Sequence, residues 1–475
     1  MPAGARAELG LITYGGRGFS AAVTAGGHSA IYFSKICPDG PLKLRKCRPE
    51  DNEHGSVIGR YSSWGQHDDG TKVRNDWAVV PLVAHLYGVE SREQIPLIFT
   101  NEIAAAVRER YRARHFDGLI RPPREGERES PGQWQNMLAI SFVRGIDILV
   151  LETTDEEDEL LIESYNRDDN TKKFNFLLEN CADFSRKALQ KLFPETGRRW
   201  SWRGVLRLIK NFGMTAPLSV LKGYADYGRN HPERLMRYAT VQQHPGTHRY
   251  DGPVRDGVDN AYKKPQYLLP LLMAPNYLIG FTVASLFDRF DKDKERAKYP
   301  NVEIARLRLK QAELEATGPS PALKTELESL KAEILMKIAQ EWSKDDEAFE
   351  SYRSRFAALV TEALESGAID GRDAWLLRNE DPQKYLKLFE GKRARARFDE
   401  GRGLLLEIRG LDGVTRVAGA SYDNIEREDP KLGLQLALGA LNYMLDVKRK
   451  DRPELADVER AWGAAERLAR TLSIR

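Results

Sequence analysis

Asn180-Cys181 opens an amphipathic segment, Asn-Cys-Ala-Asp-Phe-Ser-Arg-Lys-Ala-Leu, and Gly27-His28-Ser29 opens a strand-like run far upstream. A helix start concentrates partial positive charge and free N–H groups, which stabilise a thiolate and can hold an oxyanion. An imidazole beside it would take the thiol proton and later return it to a leaving group. Cys181 and His28 are therefore candidates for nucleophile and base. The plain alternative is a core cysteine, because free cysteine is among the most buried residue types. Its place directly behind Asn180, a good N-cap, tempers that reading without reversing it, because a thiolate would be stabilised there.

The other histidines (54, 67, 85, 115, 231, 244 and 248) are scattered, and none makes an HExxH spacing. There is no CxxC pair, no phosphate-cradling GxxxxGK[ST] and no GxSxG elbow. We expect neither a metal nor a cofactor.

Three cysteines occur in the chain, Cys37, Cys47 and Cys181. The first two flank a Pro-Asp-Gly turn that reads as a hairpin, where they can face each other as a disulfide or stand as two reduced thiols. A disulfide would place the protein outside the cytoplasm. If Cys37 faces Cys47 in an unbulged hairpin, the same register carried back sets His28 opposite Ser56, with His54 diagonal to it and Glu53 on the other face. His54 and Ser56 are thus the candidates for the group that orients the imidazole, as the third member of a triad does.

The elements that must position these groups follow from periodicity. Leu9 to Tyr14, His28 to Ile36, Leu42 to Cys47 and Val57 to Tyr61 read as strands, as do Leu138 to Val143 and Ile146 to Glu152. Asn101 to Arg114 has helical spacing, Thr154 caps a helix with an acidic first turn, and Cys181, Phe184, Ala188 and Leu192 share one helical face. Trp200 to Arg237 reads as mostly helical.

Pro265 to Phe287 carries no formal charge but contains three prolines, which fits a buried or surface-inserting segment better than a spanning helix. Beyond Asn301 the texture turns to charged helices. Leu323, Leu327, Leu330, Ile334 and Ile338 form a stripe, and Gly318-Pro-Ser-Pro321 turns the chain between two of these helices. Further helices are expected at Phe349 to Leu364, Asp373 to Phe389, Leu432 to Val447 and Leu455 to Leu472. A β-hairpin is expected from Arg393 to Arg409, with Arg393, Arg395 and Arg397 on a solvated edge.

A chain of 475 residues, 41% apolar, has ample core for two or three units. Lys and Arg number 73 against 70 Asp and Glu, so a net +3 gives no electrostatic case for nucleic acid. Mean hydropathy of -0.53 describes a soluble globular protein. Met1 to Gly10 lacks the basic and long apolar stretches of an export leader, so either the protein is cytoplasmic or a leader is missing from this chain.

Gly27-His28-Ser-Ala-Ile-Tyr32, followed much later by Phe174-Asn-Phe-Leu-Leu-Glu-Asn180-Cys181-Ala-Asp-Phe-Ser-Arg186, resembles the circularly permuted papain-like proteins. These include the permuted NlpC-type hydrolases, the lecithin:retinol acyltransferase group and, most similar, the bacterial Lnb-type N-terminal periplasmic domain family. In papain the cysteine precedes the histidine; in the permuted group, as here, the Gly-His strand comes first. The resemblance covers roughly residues 8 to 235.

It implies an α+β, circularly permuted papain-like domain with Cys181 as nucleophile, His28 as base and Asn180 capping the helix beside the oxyanion site. It also implies an exported envelope protein, which suits a Cys37–Cys47 disulfide. The expected activity is a thiol hydrolase or acyltransferase acting through a thioester on a peptide or lipid acyl substrate. A non-catalytic envelope protein that binds a partner through the same fold is the alternative. The expected organisation is a thiol domain at 8–235, an apolar connection at 236–299 with peripheral membrane contact through 265–287, and a mainly α-helical region at 300–475 packed beside the thiol domain.

Overall fold

Strand alternation sets the amino-terminal architecture. In β1 (Ala7–Tyr14) Leu9 and Leu11 face one side and Ile12 and Tyr14 the other; in β2 (Ser29–Phe33) Ile31 and Phe33 oppose Ala30 and Tyr32. The computed structural model of the protein describes residues 7–14, 28–51, 55–61, 64–171, 180–194, 196, 217–231, 234–246, 302–316, 321–391, 393–446 and 453–474. The fold is mixed α and β.

After β2 the chain leaves the sheet to form a separate two-stranded hairpin, β3 (Ile36–Pro38) with β4 (Leu44–Lys46). It returns as β5 (Ser56–Arg60) and β6 (Trp77–Pro81), and later adds β7 (Ile146–Thr153) and β8 (Met236–Val241). The six-stranded sheet runs in the order β6-β5-β2-β1-β7-β8, every neighbour antiparallel. The sheet therefore extends past residue 235, where sequence placed the end of the thiol domain.

Both faces of this sheet are covered. Behind β6 comes α1 (Leu82–Tyr87), and Leu86 joins Ile12, Tyr14 and Val57 on one face. Thr100 caps α2 (Asn101–His115), its side chain accepting the Ile103 N–H. The segment 138–143 is built from short turns around Ala139, which has a positive φ of 58°, and is not the expected strand. The Ser141 hydroxyl donates to the Leu86 carbonyl at 2.6 Å, tying this stretch to α1 in place of a neighbouring strand.

Among the described residues the opposite face carries three helices. Thr154 and Glu157 form a reciprocal capping box that starts α3 (Asp155–Asn166). Next come α4 (Cys181–Gln190), lying across β2 and β5, and α5 (Pro217–Asn230), lying across β1 and β7. Ala182, Phe184, Ala188 and Leu189 pack onto Leu9, Leu11, Ile31 and Ile58. Burying such side chains contributes about 2 kcal/mol each.

In the carboxy-terminal half, α6 (Val302–Ala316) pairs with α7 (Pro321–Glu365) through Ile304, Leu330, Ile334 and Ile338. Where sequence divided this stretch into separate helices, α7 runs unbroken for 45 residues. No glycine or proline interrupts it after Pro321, and it stops at Gly367, whose φ is +71°. Two shorter helices follow, α8 (Gly371–Asn379) and α9 (Pro382–Leu386).

A three-stranded sheet comes next, of β9 (Ala394–Asp399), β10 (Gly403–Arg409) and β11 (Thr415–Gly419), the last not foreseen as a strand. The chain closes with α10 (Pro430–Leu445) and α11 (Leu455–Thr471). These elements build one continuous core with the amino-terminal half. Leu97, Phe99, Ile103 and Val107 are buried among Val360, Leu406, Leu434 and Leu468. The backbone crosses too, with Leu97 N–H donating to Ala420 and Tyr422 N–H to Ile95.

The expected pairing of Cys37 with Cys47 is present as a disulfide, with the α-carbons 4.9 Å apart. The register around it differs from the expectation. Cys37 lies opposite Arg45, so the bridge runs diagonally across the hairpin. Because β3–β4 is a sheet of its own, its register does not pass to β2–β5, where Ser56 lies opposite Phe33 and not His28.

Candidate active site

Cys181 sits in the first turn of α4, where sequence placed it. The Asn180 side chain accepts the Asp183 N–H at 2.9 Å, which satisfies one of the orphan donors of the first turn. The Asp183 carboxylate pairs with Arg186 at 3.2 Å along the same helix. Ser185 lies one turn after Cys181, and its hydroxyl is 3.0 Å from that of Ser29 on β2. Helix and strand are thus joined by a polar contact beside the thiol.

Ser29 and the first turn of α4 tune the sulfur. Burial pushes the Cys181 thiol up, and hydrogen bonds from the Ser29 backbone and hydroxyl, then from the Ala182 and Cys181 N–H groups, pull it back down. Ladder geometry explains why Ser29 can do this. Tyr14 N–H donates to the His28 carbonyl, so even-numbered residues of β2 face β1 and odd-numbered ones face β5. The β2–β5 ladder runs only from Phe33 to Ile31, leaving the Ser29 N–H beyond its end and available to the sulfur. Part of Cys181 remains in contact with solvent.

His28 is held differently. Its ring stacks on Tyr14 at 5.2 Å between centroids and lies 4.6 Å from the ring of Tyr61 on the other side. The Tyr61 hydroxyl donates to the Asn136 carbonyl at 2.8 Å. His85 Nδ1 lies 2.8 Å from the Met137 carbonyl and must donate to it, so its Nε2 accepts the Tyr14 hydroxyl at 2.9 Å. The Arg144 guanidinium lies 5.3 Å from the centre of the Tyr14 ring. Burial, then the charges of Arg144 and His85, lowers the His28 pKa to about 3. The imidazole is therefore neutral at physiological pH, and its Nε2 is buried without a hydrogen-bond partner.

The two candidate groups share a neighbourhood without touching through a hydrogen bond. Burial raises the phenols of both Tyr14 and Tyr61, and Cys181 adds a smaller upward push to each, so the sulfur lies within electrostatic reach of both rings that enclose His28. The groups that lower the Cys181 thiol are Ser29 and the first N–H groups of α4; His28 is not one of them. Successive strand residues point to opposite faces, so Ser29 turns toward α4 while His28 turns toward Tyr14. The resting pair is a neutral thiol and a neutral imidazole.

Of the other expected residues, Asn180 caps α4 as foreseen. The Ser56 hydroxyl is buried and donates to the Ile36 carbonyl at 2.6 Å, so it ties β5 to the disulfide hairpin instead of orienting His28. His54, with Glu53, lies outside the described residues, as do Gly26-Gly27, Phe174 to Phe176 and the run 265–287. Sequence reasoning missed Ser29, Tyr14, Tyr61, His85 and Arg144. The signal for Tyr61 was the true β2–β5 register, which carried on from Ile31 opposite Ile58 brings His28 opposite Tyr61.

Among the described residues, Cys37, Cys47 and Asp51 cluster with the spacing of metal ligands. Their chemistry does not fit a metal, because the two sulfurs are bonded to each other and Asp51 makes two hydrogen bonds to Arg45, at 2.6 and 2.7 Å. No protein-family model, no curated protein and no solved structure matches this chain.

Proposed function

We propose that the chain is a thiol enzyme of circularly permuted papain-like architecture that forms a thioester on Cys181 and acts on an amide or ester bond of a cell-envelope substrate. The observation that carries this reading is the convergence on one sulfur of the α4 N–H groups and Ser29, the residue next to His28. For turnover the His28 side chain must first rotate out from between Tyr14 and Tyr61 toward the sulfur; attack then forms an S–C bond while the thiol proton passes to its Nε2, the ring nitrogen with no other partner. The oxyanion is met by the Cys181 N–H, with the Ser29 hydroxyl as the second donor; one such donor is worth about 3 kcal/mol. The C–N or C–O bond then breaks, and the leaving group takes the proton back from His28. Water releases an acid from the thioester, or an acceptor amine or alcohol takes the acyl group. The Cys37–Cys47 disulfide supports an oxidising, extracytoplasmic compartment. Among the described residues no helix is long and apolar enough to cross a membrane.

A second reading is favoured by one observation. With His28 clamped between two tyrosines and the thiol bonded elsewhere, the fold can serve as a binding scaffold without turnover. Alkylation of the folded protein by iodoacetamide separates the two. Stoichiometric labelling of Cys181 near neutral pH, sharply slowed in His28→Ala, is expected for the enzyme. A thiol that reacts only after denaturation would establish the scaffold.

A further inference from the structure

The turn between β10 and β11 carries two aliphatic side chains into solvent, Leu411 at 87% exposure and Val414 at 53%. The turn is ordered by its own hydrogen bonds. Gly410 N–H donates to the Val414 carbonyl at 2.8 Å, and the Asp412 carboxylate accepts the Val414 N–H at 3.0 Å. Asp412 also pairs with Arg416 at 2.7 Å, which leaves the tip itself nearly neutral. A fixed turn that presents aliphatic groups outward is unlike single exposed hydrophobics scattered over a surface.

A basic strip lies directly behind this tip, on one face of the sheet. Alternation along β9 buries Ala394 and exposes Arg395, and Arg393 just before the strand is exposed as well. Arg409 N–H donates to the Arg393 carbonyl, which sets these two residues side by side at the tip end of the sheet. Arg397, further back, is paired with Glu407 and Asp399. Among the described residues, Arg393, Arg395 and Arg409 have no carboxylate within ion-pair distance. Three exposed guanidiniums thus share one face of the sheet behind an aliphatic apex, on a chain whose overall charge is only +3.

The geometry points to this hairpin tip as a docking surface for an anionic lipid bilayer, with Leu411 and Val414 entering the acyl boundary and Arg393, Arg395 and Arg409 meeting the headgroup phosphates. The layering decides the partner. An apolar apex ahead of a cationic strip matches the order of hydrocarbon and phosphate met on entering a membrane. A nucleic acid would use the arginines but has no place for the aliphatic apex, and the turn from 410 to 414 contains no aromatic residue on which to stack a base. The surface is separate from Cys181 and stands or falls independently of the thiol chemistry.

The test uses the full-length protein in vesicle sedimentation, with phosphatidylcholine alone or mixed with phosphatidylglycerol. Wild type is expected to sediment with the anionic vesicles, to stay in solution with the neutral ones, and to release as salt is raised. Leu411→Asp combined with Val414→Asp, and separately R393Q/R395Q/R409Q, should each lower the partition at least tenfold. In Leu411→Trp, anionic vesicles should shift the emission of the introduced indole to the blue, a gain of signal that needs no loss-of-function variant. No sedimentation with anionic vesicles, or equal sedimentation with both kinds, would overturn the proposal. So would an emission that does not move in the Leu411→Trp variant, or soluble heparin binding wild type and the aspartate variant alike while vesicles bind neither.

Discussion

Ser29 sits beside Cys181, where its N–H and hydroxyl pull down the thiol that burial pushes up, while the residue before it, His28, turns to the other side of the sheet and lies between Tyr14 and Tyr61. The thiol environment is therefore set by a strand end and a helix start meeting edge to edge. Each contributes donors that its own secondary structure leaves unsatisfied.

Replacing Ser29 by Ala removes the hydroxyl but keeps the N–H. The thiol, already pushed up by burial, should rise further because one hydrogen bond to its thiolate is lost. At a fixed neutral pH alkylation of Cys181 should slow by up to about tenfold per pKa unit gained. The pH–rate profile reads this directly; profiles that superimpose would remove Ser29 from the site.

Tyr61 forms one wall around His28, and its hydroxyl has its own partner at Asn136. Tyr61→Phe keeps the ring and should cost about 1 kcal/mol for one hydrogen bond. Tyr61→Ala removes the wall and should cost about 3–5 kcal/mol. Urea unfolding measures both, and a Phe variant as unstable as the Ala variant would place the energy in the hydroxyl and not in the ring.

Three histidines, His85 and His244 buried and His28 half-buried, make stability depend on acidity. Burial lowers His28 to about 3 and His85 and His244 to about 4. Below about 6.5 these rings take up protons in the unfolded chain while the folded protein keeps them neutral, so stability is full above that pH and falls as pH drops toward 4. Asp158 works the other way. Burial raises it to about 6, so the folded state holds its proton first and gains stability as pH falls through that value. Urea midpoints between pH 7 and 4.5 should decline, and should decline more steeply in Asp158→Asn. A midpoint that rises on acidification would contradict the burial of the three rings.

The Cys37–Cys47 bridge closes a loop with a sequence separation of 10. On chain entropy alone its removal in Cys37→Ala/Cys47→Ala should cost about 3 kcal/mol. Mass spectrometry of unreduced protein from its native compartment should find this pair oxidised and only Cys181 alkylatable after denaturation. Three alkylatable thiols would withdraw the support for an oxidising compartment.

Much of this arrangement was legible in residue types. Asn180 before Cys181 predicted a capped helix start, and the alternation of Leu9, Leu11, Ile31 and Phe33 predicted strands with one face under helices. Register was not legible, because the chain leaves the sheet between Phe33 and Ser56 to make the disulfide hairpin. Nothing local in the sequence says that the two ladders are independent. That single break misdirected the search for the imidazole's neighbour to Ser56 and hid Tyr61. The unbroken α7 was written in the absence of glycine and proline from 322 to 365, a signal outweighed by the mid-helix run of charges.

The core shared by residues 83–142 with 349–474 has a consequence for the order of events in synthesis. Leu97, Phe99, Ile103 and Val107 leave the ribosome long before α10 and α11, the surfaces that cover them, have been translated. The half of the chain that carries Cys181 and His28 therefore travels with an uncovered apolar flank until α10 and α11 have been made. A chain that stops before α10 leaves these side chains facing water, so truncation there trades a packed core for a sticky fragment.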